Sequence, residues 1–103
     1  MAPEPRTSPM PEIEIGPEQE EASRWTYAVR VFDAGRTHDF DVSLSFADYD
    51  HWSHGRVAPS RVVEAAFAFL LEREPPASIL AKFDCSVIRR YFPEVDRELP
   101  TMF

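Results

Sequence analysis

His38-Asp39-Phe40-Asp41-Val42-Ser43-Leu44-Ser45-Phe46 places Phe40, Val42, Leu44 and Phe46 on one phase and Asp39, Asp41, Ser43 and Ser45 on the other. A period of two is the signature of a strand, whose successive side chains point to opposite faces, so this stretch predicts a ribbon with one apolar and one wet side. Upstream, Trp25-Thr-Tyr-Ala-Val-Arg-Val-Phe-Asp33 puts Trp25, Tyr27, Val29 and Val31 on one face and Arg30 on the other. Between the two runs, Asp33-Ala34-Gly35-Arg36-Thr37 offers a glycine for a positive-φ turn position, and the pair reads as a hairpin. Such a ribbon is marginal in water until something covers its apolar face.

The downstream half supplies helices. Ala47 to Ser53 reads as a short helix started by Ser45 or Asp48 and stopped at Gly55, which suits a left-handed C-cap. Pro59 fits the first helical turn of a longer run through Glu74, in which Val62, Val63, Ala66, Phe67, Phe69, Leu70 and Leu71 leave only Arg61, Glu64, Ala68 and Glu72 for a narrow second strip. Pro75 and Pro76 end it, because proline lacks the amide donor and pushes its predecessor out of the α region. Two further helical turns are predicted, Ala77 to Phe83 and, after Asp84 as N-cap, Val87 to Phe92 ahead of Pro93. The fold class expected is α+β: an antiparallel β-hairpin packed against one central helix and two or three short helices.

Composition sets the boundaries. The sequence has 103 residues, 44% of them hydrophobic and 13% aromatic, within the range of one domain. The apolar residues are concentrated after Arg24. Residues 1–24 carry six Glu against Arg6 and Arg24, together with repeated proline, and read as a disordered acidic tail unable to bury enough surface to order itself. Residues 25–93 are then the single α+β domain and 94–103 a short C-terminal tail. A foldable unit this small is marginal, so a homodimer is expected, made by pairing ribbon edges across a two-fold axis.

Gly55-Arg56-Val57-Ala58-Pro59, Phe67-Ala68-Phe69-Leu70-Leu71-Glu72-Arg73-Glu74-Pro75, Ser78-Ile79-Leu80 and Arg90-Tyr91-Phe92-Pro93 resemble short bacterial proteins of uncharacterised function, over about the C-terminal half of the chain. The resemblance implies a bacterial, cytoplasmic protein and brings no activity, ligand or site residue with it.

The net charge of −7 opposes nucleic acid and anionic membrane surfaces, both of which reward cations. Cys85 is the only cysteine, which rules out an intramolecular disulfide, and Met1 is followed by proline and glutamate in place of a basic and then apolar leader, so a soluble, cytoplasmic protein is expected. No apolar run approaches membrane-spanning length.

Few residues suggest chemistry. Asp48-Tyr49-Asp50-His51-Trp52-Ser53-His54 spaces Asp50, His51 and His54 so that they share a helical face and could ligate a divalent metal, although no further ligand is evident. The alternative is a polar segment in water, with Tyr49 and Trp52 covering the edge of the core. Cys85, near a helical N-terminus, has either a lowered thiol pKa or, as a lone cysteine between Phe83 and Val87, a place in the core. Ala77 to Tyr91 can be read as helix, turn, helix with Arg89 and Arg90 toward DNA, against which stands the early stop at Pro93. Ile13 and Ile15, alternating with glutamate, could add as a strand to a sheet edge, this protein's own or a partner's. No catalytic residue and no cofactor is assigned. The expected function is a non-catalytic protein-interaction or regulatory module with an unidentified protein partner, its candidate contacts being Ile13, Ile15, Tyr49, Trp52, Arg89 and Arg90. A DNA-linked regulator using the 77–92 helical pair ranks second, and a metal-dependent enzyme or metal-binding protein third.

Overall fold

The computed structural model describes residues 11–103 and is of the α+β class. Strands β1 (Glu12–Glu20), β2 (Arg24–Asp33) and β3 (Arg36–Ser45) run antiparallel in sequence, and a short β4 (Lys82–Asp84) pairs parallel to β3, giving the sheet order β1-β2-β3-β4. Asp33 pairs with Arg36, so β2 and β3 are joined by the two residues Ala34 and Gly35. Both have positive φ, 53° and 77°, the backbone whose twist matches that of the strands it joins.

Burial follows the alternation. Tyr27, Val29 and Val31 of β2 and Phe40, Val42 and Leu44 of β3 are buried on one face, while Ala28, Arg30, Asp39 and Asp41 are exposed on the other. A parallel β4 needs a long crossover from β3, and the crossover supplies the missing cover. It contains α1 (Phe46–Ser53) and α2 (Pro59–Leu71). Phe67 of α2 is buried between the sheet residues Phe40, 5.1 Å away ring to ring, and Phe83, at 5.8 Å. A fully buried side chain of this size contributes roughly 1.5–3 kcal/mol relative to an exposed one. Among the described residues no helix is long and apolar enough to cross a membrane.

Several boundaries differ from the sequence reading. Phe46 is the first residue of α1, not the end of β3, because the Ser45 hydroxyl accepts a hydrogen bond from the Asp48 amide at 3.0 Å and starts the helix there. Its ring turns back onto Trp25, 4.5 Å between centroids. The C-cap of α1 is His54, itself left-handed, with Gly55 following at positive φ. Helix α2 stops at Leu71, short of Glu74, in a turn where the amides of Arg73 and Glu74 both donate to the Leu70 carbonyl.

The predicted helix over 77–83 is replaced by a single 3₁₀ turn, Pro76–Ser78, and then β4, because the free edge of β3 offers Lys82–Asp84 a ladder and the core offers Phe83 a place. With it goes the helix-turn-helix. After a 3₁₀ turn, Cys85–Val87, capped by the Asp84 carboxylate, α3 (Ile88–Tyr91) has four residues.

The expected terminal tails are corrected as well. Residues 1–10 of the acidic segment lie outside the described residues, but Glu12–Glu20 form an edge strand on β2, with Ile13 and Ile15 packed against the core. Proline and glutamate do not prevent this, since the ladder bonds come from β2 and the glutamates stay in water. At the other end, α4 (Val95–Glu98) and the 3₁₀ turn Leu99–Met102 bury Val95 and Leu99 completely. The predicted route to a dimer is closed, because β1 and β4 already occupy the two edges of the β2–β3 ribbon.

Gly16 sits where the β1–β2 register shifts between Ile15 and Glu18, and a Cβ there would lie 2.6 Å from the Ala28 carbonyl oxygen. Gly16→Ala is therefore expected to push β1 off β2 and to lower stability by about 1–3 kcal/mol, measured by urea unfolding, with increased amide exchange in β1.

Candidate binding site on the open face of the sheet

Among the described residues all helical cover lies on one side of the sheet, which leaves the wet phase of β2 and β3 uncovered by them. Strand register orders its side chains into rows. One row runs Gln19, Thr26, Ser43, Asp84 across all four strands, and the next runs Ala28, Asp41, Lys82. A third runs Glu14, Arg30, Asp39, in which the Arg30 guanidinium donates to Asp39 at 2.8 Å. The middle rows have a low floor, because Ala28, Thr26 and Ser43 have short side chains. Longer residues stand around it. The result is a trough of about 660 Å³ reaching from Pro17 and Gln19 on β1 to Lys82 and Asp84 on β4, with Arg24 and Glu21 at one end.

The trough has fixed and unspent polar groups. Asp84 is the fixed one: burial works to raise its carboxyl pKa, but donation from the Ser43 hydroxyl at 2.5 Å and from Ser86, with Arg24 nearby, holds it below the usual carboxylate range. It is an ionised acceptor locked to β3. Arg24, Asp41 and Lys82 make no side-chain ion pair among the described residues, so each keeps its hydrogen-bonding capacity for a ligand. Two donors, a carboxylate and an amide around a shallow hydroxyl-lined floor can recognise a polar partner of mixed charge.

Comparison with protein-family models, with curated proteins and with solved structures finds no match for this chain.

The residues singled out in the sequence lie elsewhere, and most of them hold the fold together. Asp50 is exposed in the middle of α1, and its carbonyl accepts from the His54 amide. His51 approaches Asp96 at 3.6 Å, but Asp96 and Asp48 are already bridged by Arg89, whose guanidinium occupies the place between them. Among the described residues no group of three or more His, Cys, Asp or Glu is placed to hold a metal ion. Trp52 is fully buried and donates its indole N–H to Asp96 at 2.8 Å. Tyr49 is half-buried, its hydroxyl spent on the Val57 carbonyl. Ile13 and Ile15 face the core, Arg89 is engaged by two carboxylates, and only Arg90 of the six contact candidates is exposed. Cys85 is completely buried; burial first, and then the charges of Asp84 and Asp48, push its thiol pKa well up.

The sequence reading assigns no binding role to any of the trough residues, Asp84 entering only as a helix cap. The one available signal was size: the wet phase of β2 and β3 carries Thr26, Ala28 and Ser43, all short, where an ordinary exposed strand face would carry long side chains.

Asp96 joins α1, α3 and α4, and its pKa is lowered chiefly by the Arg89 hydrogen bond. A carboxyl whose folded pKa lies below its unfolded value near about 4 contributes stability above that value and loses it as pH falls through the folded pKa. Asp96→Ala is expected to cost about 1–3 kcal/mol at neutral pH, mostly by leaving the buried Trp52 N–H without a partner, and to flatten the acid limb of stability measured against pH. Cys85 in the native protein is expected to react with an alkylating agent far more slowly than free cysteine and to reach the free rate only in denaturant, as followed by mass spectrometry.

Proposed function

We propose that this chain is a non-catalytic, cytoplasmic protein-binding module that engages a polar, extended segment of another protein along the open-face trough. The observation that carries this reading is the uncovered side of the four-stranded sheet, low-floored and ringed by the unspent side chains of Arg24, Asp41 and Lys82. Supporting it, the perturbed phenol, thiol and Asp96 carboxyl have structural causes. Tyr27 is raised by burial and by its bond to Glu18, Cys85 by burial, and Asp96 is lowered by Arg89. None of these is presented to a substrate in the manner of a catalytic acid, base or nucleophile.

A segment laid across the strands at the Thr26 and Ala28 rows would meet a hydroxyl floor and alternating charges, a polar, wet contact of modest affinity. Specificity would come from the order of charges, with Lys82 and Asp41 side by side on one row and Asp84 on the next.

Ala28→Trp fills the trough without entering the core, because Ala28 is exposed on the open face. With a photo-crosslinking residue at Gln19, the full chain in its native cells is expected to form a discrete protein adduct. Ala28→Trp should weaken that adduct by roughly tenfold while leaving the thermal midpoint close to that of the parent. An adduct no stronger than that formed from Arg56, which lies away from the trough, or one indifferent to Ala28→Trp, overturns the proposal.

A further inference from the structure

The two edges of the sheet differ in what they offer another strand. Along β1, Glu12 and Glu14 stand on the open face, in register with Phe32 and Arg30, and beyond the register shift Glu18 and Glu20 stand on the other phase, in register with Tyr27 and Trp25. Antiparallel pairing of this edge with a copy of itself sets glutamate against glutamate, an arrangement that like-charge repulsion disfavours. The edge is protected by its charge.

At the other edge, β4 carries Lys82, Phe83 and Asp84. Lys82 and Asp84 lie in register with Asp41 and Ser43 and share the open face, while Phe83 points into the core. Laid antiparallel on a second copy about a two-fold axis through Phe83, this triplet is its own complement. Lys82 falls opposite the second copy's Asp84, Asp84 opposite the second copy's Lys82, and Phe83 opposite Phe83, giving two opposite-charge pairs on one face.

The core-side flank of the same edge is unfinished. Three large hydrophobic residues are exposed among those described, and two of them, Leu80 at 52% and Tyr91 at 65%, stand beside β4. They border an apolar cleft of about 170 Å³ floored by Leu70, Phe83 and Ile88. The two-fold that pairs β4 with β4 carries Leu80 of each copy, two residues before the strand, toward the Val87 and Tyr91 end of the other copy's cleft.

From the matched charges on one side of the edge and the exposed apolar pair on the other, we infer that β4 is a self-association edge whose occupant is a second copy of this chain. The product is an isologous dimer with one continuous sheet of twice the width and both troughs on the same face. This contact shares Lys82 and Asp84 with the trough, at its β4 rim, but it is formed edge to edge and does not depend on what the trough binds.

Lys82 is the only lysine in the sequence, which makes the test specific. A mixture of ¹⁴N- and ¹⁵N-labelled full-length protein is treated with a zero-length carbodiimide, and isotopically mixed adducts are mapped by mass spectrometry. The expected result is a mixed Lys82–Asp84 link, with sedimentation equilibrium showing a dimer at high micromolar concentration. Lys82→Asp, an exposed substitution that sets carboxylate against carboxylate twice, is expected to raise the dimer dissociation constant by roughly tenfold or more. Leu80→Ser should weaken it independently, and Ala28→Trp should leave it unchanged. A monomer throughout the concentration range, a dimer unaffected by both Lys82→Asp and Leu80→Ser, or mixed links from Lys82 only to the β1 glutamates would each overturn the inference.

Discussion

Tyr27, Val29 and Val31 on β2 and Phe40, Val42 and Leu44 on β3 share one surface, and a two-stranded ribbon cannot keep such a surface in water. The need to cover it explains the helical half of the chain. The residues between β3 and β4 must cross from one end of the sheet to the other, and that crossing lays α2 over the apolar face with Phe67 lodged between Phe40 and Phe83. The same crossing delivers β4 to the edge of β3, so cover and edge protection come from one connection. At the opposite edge β1 gives β2 a ladder partner and adds Ile13 and Ile15 to the covered side.

Two arginines then close the end of the domain. Arg73 lies over the Phe69 ring, 3.6 Å from its centroid, and donates to Glu94 and Glu98. Arg89 stands over Trp52 and donates to Asp48 and Asp96. Exposed ion pairs contribute little individually, but here each guanidinium also packs on an aromatic face, and Glu94, Asp96 and Glu98 belong to the segment that buries Val95 and Leu99. The arginines set the orientation of that segment, and the two aliphatic side chains supply most of the free energy. This also accounts for the fate of the acidic and histidine-containing stretch in α1, whose carboxylate Asp48 serves the clamp.

What was legible in the chain followed the range of the interaction concerned. The alternation over 38–46 is written directly into the burial of β3, since side-chain period and strand geometry are the same property, and the α+β class follows from that alternation giving way to a nearly all-round apolar helix. Ser45 is legible as a cap because its hydroxyl acts only three residues away. By contrast, β1 looks disordered because its composition is charged and proline-rich, and what orders it is a neighbouring strand that no local window contains. Three residues are too few to show a period, so β4 was hidden inside an apparent helix. The C-terminal segment looked unanchored because its anchors, Arg73 and Arg89, lie in other elements. The trough was illegible for a related reason: it exists only once register sets Gln19 beside Thr26, Thr26 beside Ser43 and Ser43 beside Asp84.

The uncovered face is a consequence of how much helix the chain possesses. Helix α2 has 13 residues, roughly 20 Å of length, enough to span one face and no more. The second face must therefore be stable in water, and its serines, threonine, aspartates and Arg30 meet that condition. Its shape is less free than its polarity. At Gly16 the backbone of β1 approaches the Ala28 carbonyl so closely that any Cβ would collide, so this residue permits the edge strand to dock, and the next residues of β1, Pro17 and Gln19, form one wall of the trough. Because its lining comes from all four strands, the shape of the trough depends on the integrity of the whole sheet, the docked edge strand included, more than on any single residue.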